Sequence, residues 1–314
     1  MKKEKVISII CIAAMIISWS AYFVTSKWMV DYTGSAFLAG FILRSFAFIT
    51  LTIYIIIKKE FFQVFKMGKT ALILLVIGVL GYLLDTFANI GFQHSDVSTG
   101  TILLKTDILM ATFASAVIFK EKLHLTDHIG TLIMLGGVIC ILNIDFSNIS
   151  LNWYDLFFLA SALTVTTNAF VIKYTQKEYK ASSNMIAYYN NFVVLLLFLI
   201  SSLILGDFKF FNTNKIGSSL FWILAVVGGI AQSLIYIFYY RNLKIYPVWQ
   251  VKLFLLFVPI VSSIIGLIAF DEKITLLKII GLILVLLGAV LILLRDKINK
   301  QSNNKIGGVN VRNK

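Results

Sequence analysis

The chain has 314 residues, of which 59% are apolar and only 14% charged, and its mean hydropathy is +0.89. A soluble domain carries about 25% charge, spread evenly; here the charges cluster between long neutral runs, which excludes a water-soluble enzyme and points to an all-α integral membrane protein. The formal net charge of +13 would suit nucleic acid in a soluble chain, but Lys and Arg gather in the short connections between apolar runs, and no nucleic-acid partner is expected.

Apolar runs predict ten transmembrane helices, at about 6–26, 34–57, 70–92, 96–118, 129–144, 155–173, 183–206, 217–240, 246–269 and 275–294. The first follows MKKEK and starts like a signal peptide, but Val6 to Ser26 is long enough to span and is read as a membrane helix. Trp19 and Tyr22 lie in it, with Lys27 just beyond. The second run carries Arg44, the third Asp85, the fourth Lys105 and Asp107, and the ninth Gln250 and Lys252. An ionisable group inside a span costs several kcal/mol unless paired or hydrated, so these five charges are the best functional clue in the chain.

Arg44, Asp85, Lys105 and Asp107 lie about 8–12 residues inward from one side, or roughly 12–18 Å at about 1.5 Å per residue, and so share a layer near the bilayer midplane. Lys252 is only about six residues deep, roughly 9 Å, and within snorkelling reach of the other side. Lys105 and Asp107 are two residues apart on one helix and point in different directions, so the pairs expected across helices are Asp85 with Lys105 and Arg44 with Asp107. Such pairs serve either to hold helices together or to line a polar cavity for solute or proton. Three cations against two carboxylates leave one positive charge over, which favours a solute bearing carboxylate or phosphate. Asp85 or Asp107 beside a removable partner is suited to proton exchange. Among neutral polar residues, Asn168 matches Tyr22 when Lys173 is set on Lys27, and Asn190 then matches Arg44; with Gln232 and Gln250 they offer hydrogen bonds to the interior or between helices. Trp19 suits an apolar solute wall, whereas Trp28, Trp153 and Trp222 fall where interfacial anchors belong.

The clearest pattern is a repeat. Phe119–Leu142, FKEKLHLTDHIGTLIMLGGVICIL, and Phe270–Leu293, FDEKITLLKIIGLILVLLGAVLIL, align without gaps at an offset of 151, with 10 of 24 positions identical, among them Glu121/Glu272, Gly130/Gly281 and Gly137/Gly288. The glutamates sit at helix boundaries, where each is expected to favour the N-terminus of the next helix. The paired glycines lie two turns apart on one face and permit close helix contact. Halves of five spans each enter the membrane in opposite senses, the inverted repeat on which many secondary transporters build alternating gates around a midplane site. The halves are bounded at 1–145 and 146–294, and the basic, Asn- and Gly-rich residues 295–314 are expected to form a disordered cytoplasmic tail. Counting 20 Lys/Arg on one side against five on the other puts both termini in the cytoplasm.

The junctions KEKL and DEKI, each followed by G-x6-G in an apolar helix, resemble the drug/metabolite transporter superfamily, specifically its EamA-like family. Trp19-Ser20-Ala21-Tyr22-Phe23 with trailing Lys27, Leu43-Arg44, and Pro259 placed 13 residues before Glu272 resemble the same family. In the first half the position 13 before Glu121 is Ile108, preceded by Lys105-Thr106-Asp107. The resemblance implies a secondary active transporter of the cell membrane that moves a small organic metabolite, such as an amino acid or related compound; with the position of the intramembrane carboxylates, proton-coupled export is the expected mode. Uptake of a related solute, multidrug export, and a non-transporting scaffold or sensor are the alternatives. No cofactor is implied. Cys11 and Cys140 are isolated in apolar runs, His124-Leu125-Thr126-Asp127-His128 lacks a third zinc ligand, and the sequence has no Walker loop, so no metal or ATP site is expected.

Overall fold

A computed structural model describes residues 2–66, 68–111, 125–142, 152–212, 214–245 and 254–292. Gln250 and Lys252 lie outside the described residues, as does Glu121. The helices are α1 (Lys2–Thr33), α2 (Ala36–Ile57), the short α3 (Phe61–Val64), α4 (Ala71–His94), α5 (Val97–Leu103), α6 (Leu125–Leu142), α7 (Asp155–Glu178), α8 (Ser183–Leu205), α9 (Ser219–Ile245), α10 (Phe257–Phe270) and α11 (Leu276–Ile292). Stretches Ile10–Thr33, Ala36–Ile57, Gly68–His94, Asp155–Glu178, Ser183–Leu205 and Ser219–Tyr240 are long and apolar enough to cross a membrane.

Local chemistry sets the helix ends. Gly34, at φ +71°, closes α1, and its N–H donates to Val30 O at 2.8 Å. Ser35 then opens α2: its Oγ accepts from the Phe37 and Leu38 amides, each at 3.2 Å. Two residues therefore reverse the chain. Ser182 caps α8 by accepting from the Met185 amide at 3.1 Å, and Gly206, at φ +70°, ends it.

The outer surface is apolar, and the buried polar residues are gathered inside a larger apolar core. Ile49, Ile53, Ile56 and Ile57 on α2, Leu72 and Leu75 on α4, and Ile264, Leu267 and Ile268 on α10 are exposed, while Arg44, Asp85, Asn89, Asn190, Asn191 and Gln232 are buried. Contiguous apolar faces of this extent are untenable in water and natural against lipid. The chain is thus an all-α, multi-pass integral membrane protein.

The most extensive helix contacts come in matched sets, although the packing of α1 on α2 and α4 has no comparable counterpart of α7 on α8 and α9 among the described residues. α1 packs on α9 as α7 packs on α4; α2 packs on α9 as α8 packs on α4; α1 packs on α10 as α7 packs on α5; and α2–α8 and α5–α10 are their own mates. α6 and α11 meet through the repeated glycines: a Cβ on Gly288 would lie 2.5 Å from Gly130 O, and one on Gly137 would lie 2.8 Å from Gly281 O. Because the obstructing atoms are backbone, they cannot swing aside. Gly288→Val is expected to destabilise the protein by about 1–3 kcal/mol, read as a lower unfolding temperature in detergent.

The fourth predicted span is not one regular helix. α5 gives way to a 3-10 turn at Leu104–Thr106 before helix resumes at Asp107. At the 151-residue offset, Leu256 is likewise a turn immediately before α10. Pro259 accounts for the second interruption, since it has no N–H to offer Leu255 O. The first occurs at the equivalent place with Ile108 in the proline position.

At one end of the bundle, here the far end, the 34–35, 93–97 and 207–212 connections meet the segment after α10. Gln93 Nε2 donates to Gly34 O at 2.9 Å, Ser35 Oγ to Asp207 Oδ2 at 2.5 Å, and Glu272 accepts from Val97 N at 2.7 Å. At the opposite, near end Asn184 Nδ2 donates to Glu60 Oε2 at 2.6 Å.

Candidate functional site

The middle of the bundle encloses a cavity of about 100 Å³, walled by α1, α4, α7 and α9 with contributions from α2, α8 and the Leu104–Asp107 turn. Trp19, Tyr22, Arg44, Asp85, Lys105, Asp107, Asn168, Asn190 and Gln232 all line it. These residues come from seven segments, and each sits well inside its helix or at the helix break.

Arg44 organises one wall, and only 2% of it is exposed. Its Nε and Nη2 both donate to Asp85 Oδ2, at 2.7 and 2.5 Å, while Nη1 donates to Asn191 Oδ1 at 3.0 Å and Tyr236 Oη at 2.7 Å. With its amide oxygen turned toward the guanidinium, Gln232 accepts from Nη1 at 2.9 Å and Nη2 at 3.2 Å. The Tyr22 hydroxyl adds a third donor to Asp85 Oδ2 at 2.8 Å. The rings of Tyr22 and Tyr236 lie 5.9 and 5.7 Å from the guanidinium carbon, within cation–π range. The network thereby ties α1, α2, α4, α8 and α9 together around one ion pair. Removing its outermost donor, by Tyr22→Phe, is expected to cost about 0.5–1.5 kcal/mol of stability in thermal unfolding.

This arrangement corrects the expected pairing. Arg44 is joined to Asp85, not to Asp107. The physical reason is helix azimuth: α2 and α4 are in direct contact, and the pair bridges them, whereas depth alone cannot distinguish one carboxylate from another at the same level. The surplus positive charge is accordingly not carried by Arg44. A second correction concerns direction. Lys105 and Asp107 both reach the same cavity. On an α-helix residues two apart are separated by about 160° around the axis, but a 3-10 turn reduces this to about 120°.

Gly81 makes room for Asn190. A Cβ there would lie 2.3 Å from Asn190 Oδ1. The repeat alignment sets Asn190 on Arg44, yet the hydrogen bond to Arg44 comes from its neighbour Asn191, whose Nδ2 also donates to Arg44 O at 3.4 Å. Three buried polar atoms of the lining have no hydrogen-bond partner among the described residues: Trp19 Nε1, Asn168 Oδ1 and Asn190 Oδ1. Since a buried polar group left unsatisfied is costly, one donor and two acceptors on residues of the cavity wall mark a polar demand there.

Asn191, Tyr236, Tyr239, Tyr240 and Ser161 also belong to the site or its support, and were not singled out in the sequence. The tyrosines did leave a signal. Positions 236, 239 and 240 fall at i, i+3 and i+4 on one face of α9, close to its end, and a cluster of phenols on one face of a membrane helix marks a polar interior. Among the interfacial tryptophans, Trp153 and Trp222 are exposed, whereas Trp28 packs edge-on against Phe270 at 5.5 Å.

Glu272 departs from its expected role. It does not cap the next helix, α11, but crosses to the first turn of α5, 175 residues earlier in sequence, where Val97 N and Ser98 N donate to its two oxygens at 2.7 and 3.2 Å.

No described group of His, Cys, Asp and Glu is disposed to hold a metal ion. Comparison with curated proteins finds no match. A solved structure whose title says only "Crystal structure of protein" is similar over 90% of this chain and 95% of its own, at 15% identity and a TM-score of 0.62, and so shares the fold. The sequence profile of the EamA-like transporter family matches residues 6–143 and again 152–294. That double match spans nearly the whole chain: the protein is a member of the EamA-like transporter family, a transporter and not an enzyme.

Proposed function

We propose that the protein is a secondary active transporter that exports a small organic metabolite, an amino acid or a related compound, in exchange for protons. The cavity carries this reading: mid-depth in the bundle it gathers an ion pair, Lys105, Asp107 and three buried polar atoms with no partner among the described residues, inside a shell that is otherwise apolar. Apolar packing would hold helices together without that desolvation cost. Asp85 is committed to Arg44 and Tyr22, so the proton-exchanging role is assigned to Asp107.

The architecture proposed with it is ten membrane helices in two inverted halves, 1–145 and 146–294, followed by a cytoplasmic tail at 295–314. The matched helix contacts, the glycine seam between α6 and α11, and the interruptions at Leu104–Thr106 and Leu256 support it, since each is what an exchange of halves about a midplane axis produces. Both termini are assigned to the cytoplasm on the Lys/Arg bias of the connections. Lys252 and Gln250 join the pathway by their place in the ninth span.

The test is transport. Protein reconstituted in sealed vesicles is expected to release protons into the solute-loaded side when a panel of amino acids, nucleosides and cationic drugs is supplied in turn. Uptake driven by the opposite gradient would mark an importer, a response confined to cationic drugs a multidrug exporter. No solute-dependent proton flux with any of them would move the protein to the scaffold class.

A further inference from the structure

The far end of the bundle holds a polar connection that the cavity does not account for. Glu272 is 6% exposed, and its oxygens accept three hydrogen bonds from α5: Val97 N at 2.7 Å on Oε1, and Ser98 N at 3.2 Å and Ser98 Oγ at 2.6 Å on Oε2. Beside it Lys278 is ion-paired with Asp96, the residue just before α5. Each tie joins the C-terminal half of the chain to the same seven-residue helix. The end of α10 is shaped around this carboxylate. Asp271 adopts φ +50°, a left-handed conformation that costs a residue with a Cβ, and a Cβ on Gly266 would lie 2.6 Å from Glu272 Oε2.

What α5 carries explains the investment. Seven residues on from the clasp, a rise of roughly 10 Å, the helix ends in the Leu104–Thr106 turn that delivers Lys105 and Asp107 to the cavity. A strut so short moves as one body, so its two ends are mechanically linked. The ties are also of the reversible kind: a carboxylate and an ion pair can exchange their partners for water when a surface opens, which an apolar seal does not do cheaply. Finally, the clasp is specific to one copy of the repeat. At the 151-residue offset, Ser98, Asp96 and Lys278 correspond to Trp249, Pro247 and Asp127, so the sequence supplies neither the hydroxyl nor the opposite charges beside Glu121.

We propose that Glu272 and Lys278 form a releasable clasp on α5 that closes the far end of the cavity and positions the Lys105–Asp107 turn, and that its release opens the cavity to that side. The proposal rests on the transport reading for its purpose, but its test needs no solute. In a Cys11→Ala, Cys140→Ala background, a single cysteine at the cavity position Val165 is labelled with a membrane-impermeant charged thiol reagent, added to one face of sealed vesicles of either orientation. Glu272→Ala with Lys278→Ala is expected to raise labelling from the far face about tenfold and to lower it from the near face. If that variant is not recovered from membranes, Ser98→Ala, which removes one donor of three, is expected to give the same asymmetry at about threefold. Unchanged far-face labelling overturns the proposal, and so does a rise from both faces, the mark of packing that has merely loosened. A labelling shift in a protein that moves no solute would fail the transport reading and leave the clasp in place.

Discussion

Arg44→Ala and Asp85→Ala are each expected to destabilise the protein by about 3–5 kcal/mol, the largest single-site effects in the chain, because each leaves its partner as an uncompensated charge in a water-poor interior. Both groups are 2% exposed, and the guanidinium spends its donors on Asp85, Asn191, Tyr236 and Gln232, all within the protein. The more informative variant is the double one. Arg44→Met with Asp85→Leu removes both charges while keeping bulk, and is expected to recover most of the lost stability, as buried ion pairs replaced by apolar residues commonly do. Thermal unfolding in detergent of the wild type, Arg44→Met, Asp85→Leu and the double variant, read as a double-mutant cycle, checks this. A double variant as unstable as the singles would mean that Asn191, Tyr236 and Gln232, left facing an apolar side chain, carry the cost instead.

That cycle also separates stability from function. If the pair exists only to hold α2 against α4, the recovered double variant transports normally. If the network is part of the moving machinery, stability returns and transport does not. The second outcome is expected, since the network draws on α1, α2 and α4 from the first half and α8 and α9 from the second. Any relative motion of those helices must pass through it.

The sequence made the site's membership legible far better than its wiring. A charge or amide in the middle of an apolar run has to turn inward, whatever the details of packing, and Arg44, Asp85, Asn168, Asn190 and Gln232 do so. Depth along a helix follows from counting residues. Azimuth does not, because it depends on which helix lies alongside, so depth alone offers Arg44 either carboxylate, and its amide ligand falls one residue from the repeat equivalent, at Asn191 and not Asn190. The same limit applies to Glu272. Its boundary position is plain in the repeat, but nothing local says that the helix it caps is one met 175 residues earlier. The glycines were easier, since two small residues on one face imply close approach, and the two repeat copies supply both sides of the same seam.

Asp107→Asn is expected to abolish solute-driven proton movement while sparing exchange of labelled solute across the membrane. Asparagine keeps the size and an acceptor oxygen of the carboxylate but cannot take up and release a proton, so a step that moves solute alone survives and a step that moves a proton does not. The assignment follows from what the other carboxylate is doing: Asp85 Oδ2 already receives two guanidinium donors and a phenol, and loading a proton there would leave Arg44 uncompensated. Asp107 sits at the break below α5, partly exposed to the cavity, with Thr166 Oγ1 donating to its backbone carbonyl at 3.0 Å and so fixing the turn against α7. Proton flux with a pH-sensitive dye and counterflow with labelled solute, measured on the same vesicles, give the two readings. Undiminished proton flux in the variant would exclude Asp107 as the coupling group. Loss of both signals would make it a residue of solute binding. The contrast with Lys105→Ala then completes the comparison: removing the neighbouring cation from the same turn is expected to weaken solute exchange while leaving the residual flux proton-coupled.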